Sequence, residues 1–98
     1  MSLSNSQKKY LRKLSHKQSP VFQIGKQGLS ENLVKQTAES LEARELIKIN
    51  ILQNSEEEVK EAAETIASSV HAEIVQTIGS TMVLYKESKN NKKIELPK

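Results

Sequence analysis

The segment Gly25-Lys26-Gln27-Gly28 has the residue types that can bind a phosphate. Glycine has no Cβ, so the backbone can approach a ligand closely and present its amide groups. Lys26 adds a positive charge, and Ser30 is a candidate N-cap for a following helix, whose N-terminus attracts anions. A segment of this kind can grip a nucleic-acid backbone without reading its bases. The alternative is a strand-to-helix turn that needs glycine only for its geometry.

Five basic side chains precede this segment at spacings that place several of them on one surface of a helix. They are Lys8, Lys9, Arg12, Lys13 and Lys17. The apolar residues Tyr10, Leu11 and Leu14 predict a helix over residues 4–18 with only a narrow apolar stripe. A basic helix next to a phosphate-binding segment favours an anionic partner. The alternative is a solvated face that only keeps the protein soluble.

The formal net charge of +3 is distributed unevenly along the chain. Residues 1–28 contain six basic residues and no acid, whereas residues 29–85 contain four basic residues against ten Glu. Residues 86–98 contain five Lys and two Glu. A basic start and end around an acidic middle favour an anionic partner on one side of the molecule. Nucleic acid is the first candidate, and a basic protein docked by the acidic middle is the second.

The residues that enzymes and metal sites commonly need are absent or scattered. The chain has no Cys and no Asp, and His16 and His71 are far apart, so we expect no metal and no cofactor. No nucleotide-binding glycine loop or serine-nucleophile motif occurs, so we expect no catalytic residue and no small-molecule substrate. No apolar run approaches the roughly 20 residues of a membrane helix. We therefore expect a cytoplasmic monomer that is not an enzyme and does not contact a membrane.

Three residues of the chain are aromatic, namely Tyr10, Phe22 and Tyr85. Domains that bind single strands by stacking bases use more aromatic side chains than this. We expect recognition through phosphates, shape and hydrogen bonds, with affinity that falls strongly with salt. A structured RNA surface fits this expectation better than a bare single strand.

The elements that would position these side chains follow the order α-β-α-β-α-β-β. Strands are predicted at residues 21–24, 46–52, 74–78 and 82–85, and the last two form a hairpin. The second strand alternates, with Ile47, Ile49 and Ile51 on its buried face. This order predicts one α+β domain over residues 1–98, with helices packed on a four-stranded mixed sheet. The polar residues 87–98 are expected to form a loosely held basic tail.

With these residues assembled, the chain resembles the CRM domain family in its bacterial single-domain, YhbY-like form. The resemblance covers nearly the whole chain and lies in the basic first helix and in the segments Ile24–Leu29, Arg44–Ile49, Val75–Gly79 and Met82–Lys86. The C-terminal sequence Ile94-Glu95-Leu96-Pro97 also looks like the usual C-terminal sequence of family members. This last likeness leaves open whether the tail is ordered.

The resemblance implies a fold related to the C-terminal domain of translation initiation factor 3. It also implies an RNA-binding protein that associates with precursors of the large ribosomal subunit. By position, residues 25–28 match the loop of the family, and the basic residues of the first helix match its RNA-binding face. Arg44 stands where many members have His, and Lys86 stands where Arg is common. Both are positively charged, but Lys86 lacks the bidentate phosphate grip of Arg.

Overall fold

The computed structural model of the protein describes residues 3–25, 30–52 and 56–97. Seven elements follow one another: α1 (Asn5–Ser15), β1 (Phe22–Ile24), α2 (Glu31–Arg44), β2 (Leu46–Ile51), α3 (Glu56–Val70), β3 (Glu73–Ile78) and β4 (Thr81–Tyr85). The predicted element order and the α+β class are confirmed, although α1 ends three residues before the predicted position. In these three stretches of chain, no helix combines the length and the hydropathy that a membrane span requires.

The four strands form one mixed sheet in the order β1-β2-β4-β3. β1 and β2 pair in parallel, because α2 carries the chain back between them, and β4 lies antiparallel between β2 and β3. The amino ends of β1, β2 and β3 therefore share one end of the sheet with the carboxyl end of β4. We call this the Arg44 end, because Arg44 comes just before β2, and we call the opposite end, where Gly25 follows β1, the Gly25 end.

The first core cluster lies between the sheet and helices α2 and α3. Ile47, Ile49 and Ile51 are at most 1% exposed, as the alternation along β2 predicts. From α3, Ala63 and Ala67 belong to the same cluster, and their small side chains let the helix lie close to the sheet. This face of the sheet is the one that the sequence pattern identifies.

The other face of the sheet is also buried, in a second core cluster. Leu46 and Tyr85 are at most 1% exposed there, and both pack in the cluster that contains Leu11 of α1. The apolar stripe of α1 is narrow, but Ile94 and Leu96 from the C-terminal segment pack against the same cluster. Helix α1 and the C-terminal segment together cover this face.

The prediction of a loosely held tail is wrong for residues 87–97. Ser88 is buried, and the side-chain amide of Gln7 donates a hydrogen bond to the carbonyl of Pro97 at 3.0 Å. Gln7 also completes the capping box of α1, because its side-chain oxygen accepts from the backbone N–H of Ser4 at 3.0 Å. One side chain therefore joins the start of α1 to the end of the C-terminal segment.

Candidate nucleic-acid interface

An open groove lies at the Arg44 end of the sheet, where α1 ends, α2 ends and the C-terminal segment passes. Residues 17–21 line it together with Ser40, Arg44 and Lys93. The side chains of Lys17, Arg44 and Lys93 are exposed, and none of the three forms an ion pair with another residue that the structure describes. We call this feature the basic groove. Three exposed cations that come together from three parts of the chain favour a phosphate in this groove.

The sheet fixes the position of Lys17 through the residues that follow it. The ammonium group of Lys48 in β2 donates a hydrogen bond to the carbonyl of Gln18 at 3.3 Å. The backbone N–H of Val21 donates to the carbonyl of Lys48 at 2.9 Å. Two hydrogen bonds to one residue of β2 therefore hold the connection between α1 and β1 against the sheet, and this connection is one wall of the basic groove.

Arg44 is the last residue of α2, where a cation interacts favourably with the unpaired carbonyls of the helix end. The next residue, Glu45, ends the helix with a φ of 66°, a conformation that residues other than glycine rarely adopt. The backbone N–H of Glu45 donates to the carbonyl of Leu41 at 2.7 Å, and the backbone carbonyl of Glu45 accepts from the backbone N–H of Lys86 at 2.9 Å. The sharp turn at Glu45 places Arg44 beside the start of β2.

Lys93 reaches the basic groove because the side chain of Glu45 holds the C-terminal segment. This buried carboxylate accepts hydrogen bonds from the backbone N–H groups of Ser88 at 2.9 Å, Lys93 at 2.6 Å and Ile94 at 2.7 Å. Hydrogen bonds to an ionised acceptor are stronger than those between neutral groups. The backbone of Lys93 is therefore fixed, while its ammonium group has no ion pair with any residue that the structure describes.

Glu42, one turn earlier in α2, holds the same segment. Its carboxylate accepts from the backbone N–H groups of Lys89 at 2.9 Å and Asn90 at 3.0 Å, and from the hydroxyl of Ser88 at 2.7 Å. We call Glu42 and Glu45, with the segment that they hold, the carboxylate clamp. Two acidic residues at the C-terminal end of α2, Glu42 within the helix and Glu45 directly after it, thus support a basic side chain.

The hydrogen bonds of the clamp lower the pKa of both carboxyl groups. The backbone N–H of Lys89, followed by the hydroxyl of Ser88 and the N–H of Asn90, lowers the pKa of Glu42 from 4.5 to about 2. Burial alone would raise the pKa of Glu45, but the donors of the C-terminal segment outweigh burial, so that its pKa lies below the ordinary value. Both carboxylates are ionised at neutral pH.

Acid is expected to release the clamp. Because the pKa of Glu42 is lower in the folded protein than in the unfolded chain, its contribution to stability is complete above pH 4.5 and is lost as the pH falls towards about 2. The free energy of unfolding, measured by urea denaturation at intervals across this range, should therefore fall with pH. Glu42→Gln should flatten the fall, whereas Glu39→Gln, an exposed control in the same helix, should not. Equal slopes for wild type and Glu42→Gln would contradict the assignment.

The other predicted cations of α1 form an exposed surface. Lys9, Arg12 and Lys13 are exposed, and Lys8 is partly buried. Helix α1 covers one face of the sheet, and α3, which carries the exposed acids Glu61 and Glu64, covers the other. The molecule therefore has a basic side and an acidic side, as the uneven charge of the sequence indicates.

The first residue of the predicted glycine loop, Gly25, lies at the other end of β1 from the basic groove. Gly25 is exposed, whereas Lys26, Gln27 and Gly28 fall outside the described residues. Four steps of extended chain separate Val21 from Gly25, which is about 13 Å. The structure thus brings Lys17 and Arg44 together and places Gly25 at the opposite end of the same edge strand.

The fold itself does not require a glycine at position 25. The φ of Gly25 lies outside the left-handed region, and an added Cβ would meet no described atom within 4 Å. Gly79 differs, because its φ of +54° suits glycine in the tight turn between β3 and β4. The alternative of a turn that needs glycine geometry therefore has no support at Gly25, and close approach of a ligand there stays a prediction.

The structure gives Lys86 a contact within the fold. Its ammonium group donates a hydrogen bond to the carbonyl of Val70 at 2.9 Å, at the C-terminal end of α3. There the cation satisfies a helix-end carbonyl and offsets the partial negative charge of the helix terminus. Lys86 does not line the basic groove, and its role in binding a partner stays a prediction.

Sequence reasoning missed Lys93 and the two glutamates that position it. The neighbouring Lys92 has the same charge, but it forms an ion pair with Glu87 at 3.2 Å. Nothing in the local pattern distinguishes Lys92 from Lys93, because the difference depends on which backbone N–H groups meet Glu45. The available signal was the spacing of Ile94 and Leu96, which marks residues that dock on the sheet.

Comparison with known proteins supports one family. Residues 3–86 match the CRS1/YhbY (CRM) domain. A Bacillus subtilis protein named as a probable RNA-binding protein, YqeI, is 54% identical over 95 residues, covering 97% of this chain and 99% of that protein. A Haemophilus influenzae protein named as an RNA-binding protein is 35% identical over 97 residues, and the match covers 99% of this chain and 97% of that protein. The solution structure of SAV1595 from Staphylococcus aureus, a hypothetical protein with a suggested RNA-binding role, has a TM-score of 0.85 and 53% identity, covering 98% of this chain and all of that one.

Proposed function

The chain belongs to the CRS1/YhbY (CRM) domain family, and on that premise we propose that it is an RNA-binding protein. It contacts the RNA backbone through the basic groove, the exposed cations of α1 and the segment that begins at Gly25, and it catalyses no reaction. The observation that carries this proposal is the basic groove, where Lys17, Arg44 and Lys93 stand together without ion partners among the described residues.

The RNA that we propose is ribosomal RNA within precursors of the large ribosomal subunit, so that the protein acts as an assembly factor. The family resemblance supports this part. The charge distribution agrees with it, because the acidic face of α3 would be repelled by RNA while the basic side docks. A one-sided field of this kind suits a small protein that lies on the surface of a folded RNA.

The proposal is tested by the salt dependence of binding to purified large-subunit ribosomal RNA. If the protein neutralises about four to six phosphates, log affinity should fall against log salt concentration with a slope of roughly −3 to −5. Filter binding or fluorescence anisotropy at several potassium concentrations measures this slope. A slope near zero would contradict binding through phosphates, and protein partners that survive nuclease treatment in a pull-down would favour the acidic middle as the docking surface.

Gly25→Ala should separate binding from folding. The variant is expected to be as stable as wild type, or up to about 1 kcal/mol more stable, because alanine restricts the unfolded chain. Its affinity for RNA should fall if the backbone at Gly25 approaches the ligand. Gly79→Ala is the matched control, since its positive φ should cost about 1 kcal/mol of stability without a direct effect on binding. Unchanged affinity in Gly25→Ala would remove this residue from the interface.

A further inference from the structure

An exposed aromatic ring stands among the cations of α1. Tyr10 is 38% exposed and belongs to neither core cluster, so part of its side chain is open to a ligand. The other tyrosine, Tyr85, is 1% exposed and lies in the second core cluster. Tyr10 is thus the exposed aromatic side chain of the described residues.

The surroundings of Tyr10 combine apolar surface with positive charge. Lys9, Arg12 and Lys13 line a shallow hollow with the ring, and Lys13 is one helical turn from it. The alkyl parts of such side chains extend the apolar surface, while their charged ends stay in water. A ligand that suits this hollow has a flat apolar part and a negative charge within a few ångströms of it.

Gln76 and Pro97 also line the hollow. Gln76 of β3 lies there, on the face of the sheet that α1 covers, and its side-chain amide makes no hydrogen bond to any of the described residues. An unpaired amide carries both a donor and an acceptor, as does the edge of a nucleobase. The hollow therefore offers a ring face, cations and an amide within one small area.

We propose that Tyr10 stacks on an unpaired nucleobase of the bound RNA, while Lys9, Arg12 and Lys13 hold the adjoining phosphates and Gln76 meets the edge of the base. This proposal rests on the RNA-binding function and adds a second kind of contact to it. The small number of aromatic residues excludes an extended stacking platform, but a single ring suffices for one bulged or looped-out base. The partner is then a folded RNA with an unpaired nucleotide near a phosphate-rich surface.

The test compares two RNA hairpins of equal length, one fully paired and one with a single bulged 2-aminopurine. Loss of one aromatic–base stack corresponds to about a 5- to 150-fold loss of affinity. Tyr10→Leu should show this loss for the bulged hairpin alone, with an unchanged salt slope. Tyr10→Phe, which keeps the ring, should bind both hairpins within about twofold of wild type. Ile78→Ala, at an exposed apolar residue at the Gly25 end, is the control for a general loss of apolar surface.

Spectroscopy gives a second readout that does not depend on affinity. The 2-aminopurine emission should be quenched when wild type or Tyr10→Phe binds, and not when Tyr10→Leu binds. If Tyr10→Leu binds the bulged hairpin as tightly as wild type does, the stacking proposal is overturned, and the hollow would then suit an apolar protein partner. If wild type binds neither hairpin nor ribosomal RNA, the proposed function itself fails, which is a different result from RNA binding that ignores Tyr10.

Discussion

Replacing Glu45 by alanine is expected to lower the free energy of unfolding by about 3 kcal/mol, since a buried ionised acceptor would be lost. The side chain is fully buried, and its carboxylate accepts from three backbone N–H groups of the C-terminal segment. Without the carboxylate, either these N–H groups stay buried and unpaired, or the C-terminal segment detaches so that water can bind them. Both outcomes lower the stability. In a domain of this size the melting temperature should fall by about 10–20 °C.

Two further variants separate the causes of this loss. Glu45→Gln keeps one oxygen acceptor, but its amide nitrogen would face a backbone donor, so about half of the loss is expected. Glu45→Gly removes the same carboxylate yet adopts the positive φ more easily, so it should be about 1 kcal/mol more stable than Glu45→Ala. Glu39→Ala, at an exposed site in α2, should change stability by less than about 0.5 kcal/mol.

Urea denaturation measures the stabilities, and amide hydrogen exchange shows where the structure opens. Protection of the N–H groups of Ser88, Lys93 and Ile94 should fall first in Glu45→Ala, since these are the donors of the clamp. Because the same contact positions Lys93 in the basic groove, affinity for RNA should fall even in a variant that is still folded. Wild-type stability with full protection of these amides would refute the role of the clamp.

The features that sequence reasoning predicts correctly depend on local patterns. Alternation along β2 identifies Ile47, Ile49 and Ile51 as the buried face, and Ser30 caps α2 by accepting from the N–H of Leu33 at 3.1 Å. Both signals involve residues within a few positions of each other. For the same reason the glycine turn between β3 and β4 is predictable.

The features that sequence reasoning misses depend on contacts between distant parts of the chain. Glu42 and Glu45 meet residues 88–94, which lie more than 40 positions away in the sequence. An acidic residue at the end of a helix has the same local pattern whether it faces water or holds another segment. Of the cations of the basic groove, the sequence singles out Lys17 by its place in a basic helix and Arg44 by the family resemblance, whereas the position of Lys93 depends on the clamp.

Neutralising the basic groove is expected to have the largest effect on RNA binding. The triple variant Lys17→Gln, Arg44→Gln and Lys93→Gln removes three exposed cations that make no ion pair with any described residue, so the fold should lose little stability. If each cation neutralises one phosphate, the slope of log affinity against log salt should become less steep by about 2 to 3. At about 0.1 M salt, the lost counterion release corresponds to an affinity weaker by about 100- to 1,000-fold.

The control must separate local contact from total charge, because the triple variant also lowers the net charge by three. Lys60→Glu combined with Ser68→Glu lowers the net charge equally, and both residues are exposed on α3, on the other side of the sheet from α1. A long-range field is screened within about 10 Å at 0.1 M salt, so this control should weaken binding only slightly and leave the salt slope near that of wild type. If the two variants lose affinity equally, net charge rather than the groove controls binding. If only the groove variant loses affinity and slope, then Lys17, Arg44 and Lys93 contact phosphates, since only direct neutralisation changes the number of counterions released.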